Sequence, residues 1–405
     1  MISYDLPPTG RWGQAKHVQQ LTQALSKRYI VDLCSRNANH SNSWVTLTST
    51  PTADAAFIES SMLPNESYVD FERLQAWNTI FARQINQFYR STTTKPTIVH
   101  NHNWMTFPAA QIIAKQLNIP LVSSIHFVER QYTLTAAAAP TQPDLADIIA
   151  LEKSMAKSSD RIIAFGENHK QFFVTEYACA PEKIDVIPHG VDLTAYKERV
   201  NNTHTAVPTI AFVGRLVEEK GIREFLRAIE TLQKQNLPVR GVVVGEGSLR
   251  AELERRYATR DVRFTGWVPP EDVRSILHNA DIFCSPTYTE SFGLSTLEAM
   301  ASGLPIVMTH GPTIEPLLTA SEGLLVDTKR EAASIRINER MLTENLAQLV
   351  RSEPDRRFYG MQSREAARRY GESAMVEKTC VVYEKLQQNN KPTLSFEKCV
   401  RDTPS

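Results

Sequence analysis

Short runs of β-branched and apolar residues alternate with helical segments along this chain, and the alternation happens twice. The first series contains Thr97–His100 (TIVH), Pro120–Ile125, Arg161–Phe165 and Lys183–Ile187. A polar break, RVNNTHTAVP, follows. The second series contains Thr209–Val213 (TIAFV), Val239–Val244, Val262–Thr265, Asp281–Cys284, Leu304–Met308 and Gly323–Val326. Helices such as Gln14–Lys27 and Ile222–Leu232 fill the gaps. Strands joined through helices pair in parallel. The unbroken apolar character of GVVVG and TIAFVG suits strands covered on both faces. The expected fold class is α/β, with two Rossmann-like, doubly wound parallel-sheet domains facing across a cleft, over residues 1–195 and 206–370. The amphipathic stretch Ala367–Gln388 predicts a C-terminal helix over 371–388 that packs back on the first domain, followed by a flexible polar tail, 389–405. The one long, turn-rich insertion, Thr135–Asp147, is of the kind that carries substrate contacts.

Composition narrows the function classes. The 405 residues carry 45 Lys+Arg and 45 Asp+Glu, so the formal net charge is zero and a dedicated nucleic-acid binder is disfavoured. The five cysteines lie far apart with no CxxC, as expected of reduced thiols in a cytoplasmic protein. The N-terminus shows no signal peptide, and no apolar run reaches the ~18 residues of a membrane span. Peripheral contact with the inner membrane face stays compatible with this.

Three strand–turn–helix units carry the candidate chemistry. In TIAFVGRLVEEKGIREFLRAI, Arg215 and Lys220 lie between a strand end and a helix start, where a bound anion would reconcile cations with the helix dipole. The rival reading is a solvated charge cluster with Glu218 and Glu219 between them. VVVGEGSLRAEL places Gly245 and Gly247 at a turn that lets backbone approach a nucleotide, but no Walker lysine follows. PPTGRWGQAKHV places Gly10 and Gly13 before the first helix without a full GxGxxG, which disfavours a dehydrogenase. His126 follows a strand. His100 and His102 alternate, so both point to one side. Two histidines need at least a third ligand to hold a metal, and none stands near them in sequence; no metal is expected.

The most informative segment is ESFGLSTLE. A helix expected from about Ser291 to Ala301 places Glu290 before its start and Glu298 about two turns in. The free amides of Phe292–Ser295 make an anion site. Carboxylates beside it would repel the anion, so they suit sugar hydroxyls. This predicts a ligand with an anionic middle and hydroxylated ends. The rival reading is an ordinary helix with an acid at its start.

In order and spacing, SYDLPPTGRWGQAKHV, VHNHNW, SSIHFVER, KIDVIPHGVD, VGRLVEEKG, GEG, FTGWV and ESFGLSTLEAMASGLPIV resemble the large retaining glycosyltransferases of the GT-B fold, the family-four, glycogen-synthase-like group. The resemblance runs from Ser3 to Val307. It implies that Arg215 and Lys220 hold a donor diphosphate, that Glu298 binds ribose, and that Glu290 with the amides of Phe292, Gly293 and Leu294 holds the transferred sugar and phosphate. It implies further that Gly13 approaches the diphosphate, that His126 stands at the reacting sugar, and that Val268 and Gly245 lie near the nucleoside. Trp12, His102, Asn103 and Arg130 are expected on the acceptor side. The chain departs from the family pattern at Trp12 (usually Gly), Asn103 (usually Asp) and His189 (usually Asn).

The expected activity is hexose transfer from a nucleoside diphosphate to an acceptor hydroxyl, retaining and metal-independent, with no cofactor. The acceptor is a sugar, a lipid-linked group or a small molecule. A nucleotide-sugar epimerase of the same fold and a catalytically weak nucleotide-sugar-binding protein are the alternatives. A glycoside hydrolase would use paired carboxylates but gives Arg215 and Lys220 no role.

Overall fold

The computed structural model describes residues 1–3, 13–37, 43–48, 57–59, 71–130, 144–196, 207–331 and 334–389. The first domain runs β1 (Ile2–Ser3), α1 (Gly13–Leu25), β2 (Asp32–Asn37), β3 (Ser43–Thr48), β4 (Phe57–Glu59), α2 (Phe71–Ser91), β5 (Val99–His102), α3 (Phe107–Leu117), β6 (Leu121–Ser124), α4 (Leu145–Ser158), β7 (Arg161–Ala164), α5 (Glu167–Tyr177) and β8 (Ile184–Val186). The second runs β9 (Thr209–Val213), α6 (Ile222–Lys234), β10 (Arg240–Val244), α7 (Arg250–Tyr257), β11 (Val262–Gly266), α8 (Pro270–Asn279), β12 (Ile282–Ser285), α9 (Leu294–Ala301), β13 (Ile306–His310), β14 (Leu324–Glu331) and β15 (Ser334–Ile337), then α10 (Glu339–Arg351), α11 (Glu353–Ala367) and α12 (Glu372–Asn389).

Each series of strands closes into one sheet, ordered β4-β3-β2-β1-β5-β6-β7-β8 and β11-β10-β9-β12-β13-β14-β15. The central pairings are parallel, as the alternation predicts. Both sheets also carry antiparallel edges, β2–β3–β4 and β14–β15, which the sequence pattern did not suggest. The 21-residue α2 was also unforeseen; it buries Leu74, Trp77, Phe81 and Ile85 at helical spacing against the first core.

In each sheet the chain leaves the middle in opposite directions, at β1/β5 in the first and β9/β12 in the second. Such switch points open crevices beyond the carboxyl ends of the strands, where α/β proteins bind ligands. The core continues across the two halves, because Phe165, Ile187 and Val191 share one cluster with Phe292, Ile314 and Leu317. Helix α12 lies on the first domain: Tyr383 bonds His100 at 2.5 Å and Gln387 bonds Thr97 at 3.1 Å. The insertion at 135–147 up to residue 143, Gly10, Trp12 and the tail from 390 lie outside the described residues.

Candidate functional site

The two switch points face each other. Arg215 follows β9 and Glu290 follows β12, while α1 opens after β1 and His102 ends β5. A Cβ on Gly13 would stand 3.0 Å from Leu294 Cδ1, so the starts of α1 and α9 all but touch. The starts of two helices, whose first amides have no partner within their own helix, therefore lie side by side. Helix α9 begins at Leu294, three residues later than expected, because Gly293 turns the chain at φ 92°. Glu298 thus lies one turn into the helix, closer to its mouth.

The charged groups expected here are present, and each has a partner. Lys220 Nζ bonds Glu290 Oε2 at 2.7 Å, with both side chains largely buried. Arg215 Nη2 bonds Glu219 Oε1 at 2.8 Å. Gly221, at φ 66°, fixes this corner: a Cβ there would meet the Pro286 carbonyl oxygen at 1.7 Å. Glu298 is gripped from the other domain, by Lys16 Nζ and by the Tyr196 hydroxyl, which donates at 2.9 Å. Burial, with Arg274 beside it, holds the Lys16 pKa down to about 8. Neither Lys16 nor Tyr196 was singled out from sequence; a lysine on an amphipathic helix looks like any other surface lysine. Phe292 is buried between His189 and Tyr370, with ring centroids 5.0 and 5.5 Å away.

Several expected contacts read differently. His102 and Asn103, expected on the acceptor side, are wholly buried. Asn103 works on its neighbour instead: its Oδ1 accepts the His126 backbone N–H at 3.1 Å, from a backbone at φ 73°, ψ 171° that favours glycine. Arg130 is ion-paired with Glu176 at 3.0 Å. The glycine at 245 has a packing reason, since a Cβ would meet the Gly214 carbonyl oxygen at 1.9 Å. Val268 is half-buried at the margin of the central core.

The histidines form a larger group than the sequence indicated. His17 from α1, His102, His126 and His189 pack ring on ring, with Phe165 stacked on His189 at 3.8 Å. Burial first, then the neighbouring rings, hold His102, His126 and His189 well below the usual imidazole range, and burial alone takes His17 down to about 3. The rings are therefore uncharged at neutral pH. The pair considered from sequence, His100 with His102, is not the one that gathers; His102 instead meets His17 and His126, and one nitrogen each of His17, His102 and His126 lies within 4.8 Å of the others.

A further inter-domain contact comes from Glu315, whose carboxylate accepts from the backbone N–H groups of Glu167 and Asn168 at 3.1 and 3.0 Å, at the start of α5. Among the described residues no helix is long and apolar enough to cross a membrane.

Comparison with known proteins agrees with this layout. Residues 12–195 match the family model described as Glycosyltransferase Family 4, and residues 207–344 match Glycosyl transferases group 1. The chain is 24% identical over 324 residues to a glycogen synthase of Mycobacterium tuberculosis, covering 76% of this chain and 77% of that one. It is 28% identical over 335 residues to a D-inositol 3-phosphate glycosyltransferase of Corynebacterium diphtheriae, covering 77% and 76%. Among solved structures, the sucrose-phosphate synthase of Thermosynechococcus elongatus superimposes with a TM-score of 0.78 at 19% identity, covering 96% of this chain and 98% of that one. Anabaena HepE in complex with UDP and glucose gives 0.64 at 16% identity, covering 95% and 98%.

Proposed function

This chain belongs to the GT-B glycosyltransferases, of the family 4 and group 1 kind, and on that premise we propose that it moves a hexose from a nucleoside-diphosphate sugar to an acceptor hydroxyl with retention of anomeric configuration. The observation that carries the reading is the meeting of the α1 and α9 N-termini beside Arg215 and Lys220, flanked by the acids Glu290 and Glu298. A diphosphate fits between the amides and the cations. Glu298 takes the ribose hydroxyls on one side, and Glu290 takes hydroxyls of the hexose on the other.

The work is electrostatic. As the sugar–phosphate bond breaks, charge grows on the leaving diphosphate, and Arg215 and Lys220, turned from Glu219 and Glu290, stabilise it together with the helix amides. These groups supply the charge that a metal would otherwise bring to the phosphates. His126, uncharged, offers the transferring sugar a hydrogen bond, and Asn103 fixes its backbone. The donor phosphate removes the acceptor proton on the face where the acceptor attacks. Val268 lies toward the base. Closure of the two halves over the donor would keep water from the reacting centre, with the Glu315 contact to the start of α5 joining them.

The test is a panel of UDP-, GDP- and ADP-sugars, with UDP-sugars first because HepE was solved with UDP and glucose. Nucleoside diphosphate release is followed with and without EDTA, and the product anomer is read by NMR. Release that survives EDTA, with a retained anomer, is expected. An inverted product overturns retention, interconversion of the donor sugar without release points to an epimerase, and binding without turnover points to a weak nucleotide-sugar-binding protein.

A further inference from the structure

The imidazole cluster at the end of β5 is larger than the transfer reading needs, since that reading uses His126 alone. We propose that His17, His102 and His126 form a site for one divalent transition-metal ion of the zinc type, with its remaining coordination position toward the cleft. Their ligand nitrogens lie within 4.8 Å of one another. His102 Nδ1 and His126 Nε2 are 3.1 Å apart, close to the ~3.3 Å that separates neighbouring nitrogens on a tetrahedral ion with bonds of about 2.0–2.1 Å.

The surrounding bonds favour the same three rings. His17 Nδ1 meets His189 Nδ1 at 2.7 Å, which leaves His17 Nε2 as its ligand atom. With Nε2 on the ion, the proton sits on Nδ1 and is donated to His189, an outer partner of the kind that fixes the orientation of metal-bound imidazoles. His17 Nε2, the ligand atom of that ring, is buried with no hydrogen-bond partner among the described residues, a deficit that coordination relieves. His100 is excluded, because both its nitrogens are taken, by Tyr383 at 2.5 Å and Ser124 at 2.7 Å. An all-imidazole set suits zinc and its neighbours over magnesium or calcium, which want oxygen. His126 is the only half-exposed member of the three, so the open position lies on the cleft side.

Zinc binding is read without donor or acceptor, so the site stands or falls apart from the transferase reading. The full chain is stripped with chelator, loaded with Zn²⁺, passed through a desalting column and assayed for metal. X-ray absorption of the zinc form reads the ligand shell, and Co²⁺ loading gives a visible spectrum. One retained equivalent with three imidazoles in the shell is expected. His126→Ala and His17→Gln are each expected to weaken binding at least tenfold, while His310→Ala, at the exposed His310–Asp327 pair, leaves the stoichiometry at one. No retained zinc, fewer than three imidazoles in the wild-type shell, or loss of the ion in His310→Ala with retention in His126→Ala would overturn the site. The absorption measurement needs no variant and decides the matter even where a substitution impairs folding.

Discussion

Replacing Lys16 by methionine tests whether the Lys16–Glu298 pair competes with the proposed donor for Glu298. Lys16 spans the cleft to Glu298, and the two side chains are 25% and 12% exposed. The pair therefore lies between a surface ion pair, which contributes little, and a buried one, whose rupture strands a charge. Methionine keeps the length and the packing but leaves Glu298 with the Tyr196 hydroxyl as its remaining donor among the contacts described. The cost to the ligand-free protein is ~1–3 kcal/mol, a fall in Tm of roughly 2–12 °C. Donor binding moves the other way. In the wild type the ribose hydroxyls must displace Lys16 to reach Glu298, whereas in Lys16→Met they meet an acceptor in need of partners. Calorimetric titration with nucleoside diphosphate should show affinity rising by roughly tenfold, or 1.4 kcal/mol. Raising the pH from 7 to 9 carries Lys16 through its pKa of about 8 and should reproduce part of that gain in the wild type only. Weaker or unchanged nucleotide affinity in Lys16→Met would refute the reasoning, because it would make Lys16 a phosphate ligand or a bystander.

Other expectations follow from the same geometry. Lys220→Ala breaks the ion pair with Glu290 and removes a cation from the proposed diphosphate site; kcat/KM for donor should fall by ~10²–10³, and a loss under threefold would count against the proposed role of Lys220. Glu152 is buried and its pKa is raised from 4.5 to about 7 by that burial, with Tyr177 and the Glu129 N–H opposing. The folded state thus holds a proton that the unfolded state releases, so stability should fall as pH rises from about 4.5 to about 7, by up to roughly 3 kcal/mol. Glu152→Gln should flatten that slope in urea titrations at pH 5 and 7.5, and an unchanged slope would assign it elsewhere. Gly221→Ala forces a methyl onto the Pro286 carbonyl at positive φ and should cost about 3–5 kcal/mol by urea unfolding; a change below 1 kcal/mol would show that this corner relaxes.

What was legible in sequence is what depends on local pattern. The period of the apolar runs gave both parallel sheets, and the helix expected from about Ser291 to Ala301 is α9 to within a turn. Arg215 and Lys220 stood out as cations at a helix start, and Glu290 and Glu298 as acids on either side of a helix mouth suited to an anion. The antiparallel edges were not legible, since an edge strand differs from a central one by its neighbours and not by its own residues. The partners of the named residues were hidden for a related reason. His17 lies one turn beyond Gly13 and reaches His102 only when α1 folds against β5. Lys16 needs the other domain to become anything more than a surface lysine. Asn103 looked like a missing acidic group; only its backbone geometry shows it as the residue that sets the His126 loop.

The fit between Glu315 and Gly166 bears on how such a chain can be recombined. The two halves match separate family models, which invites building hybrids by exchanging them. Yet a Cβ on Gly166 would lie 2.0 Å from the Glu315 side chain, and one on Gly190 would lie 2.6 Å from the Glu372 backbone. The first half thus carries two notches, one filled by Glu315 of the second half and one by the start of α12. A hybrid whose first half brings alanine to either notch would fold as two sound pieces that do not seat together, so the pairs 166/315 and 190/372 have to travel with the exchange.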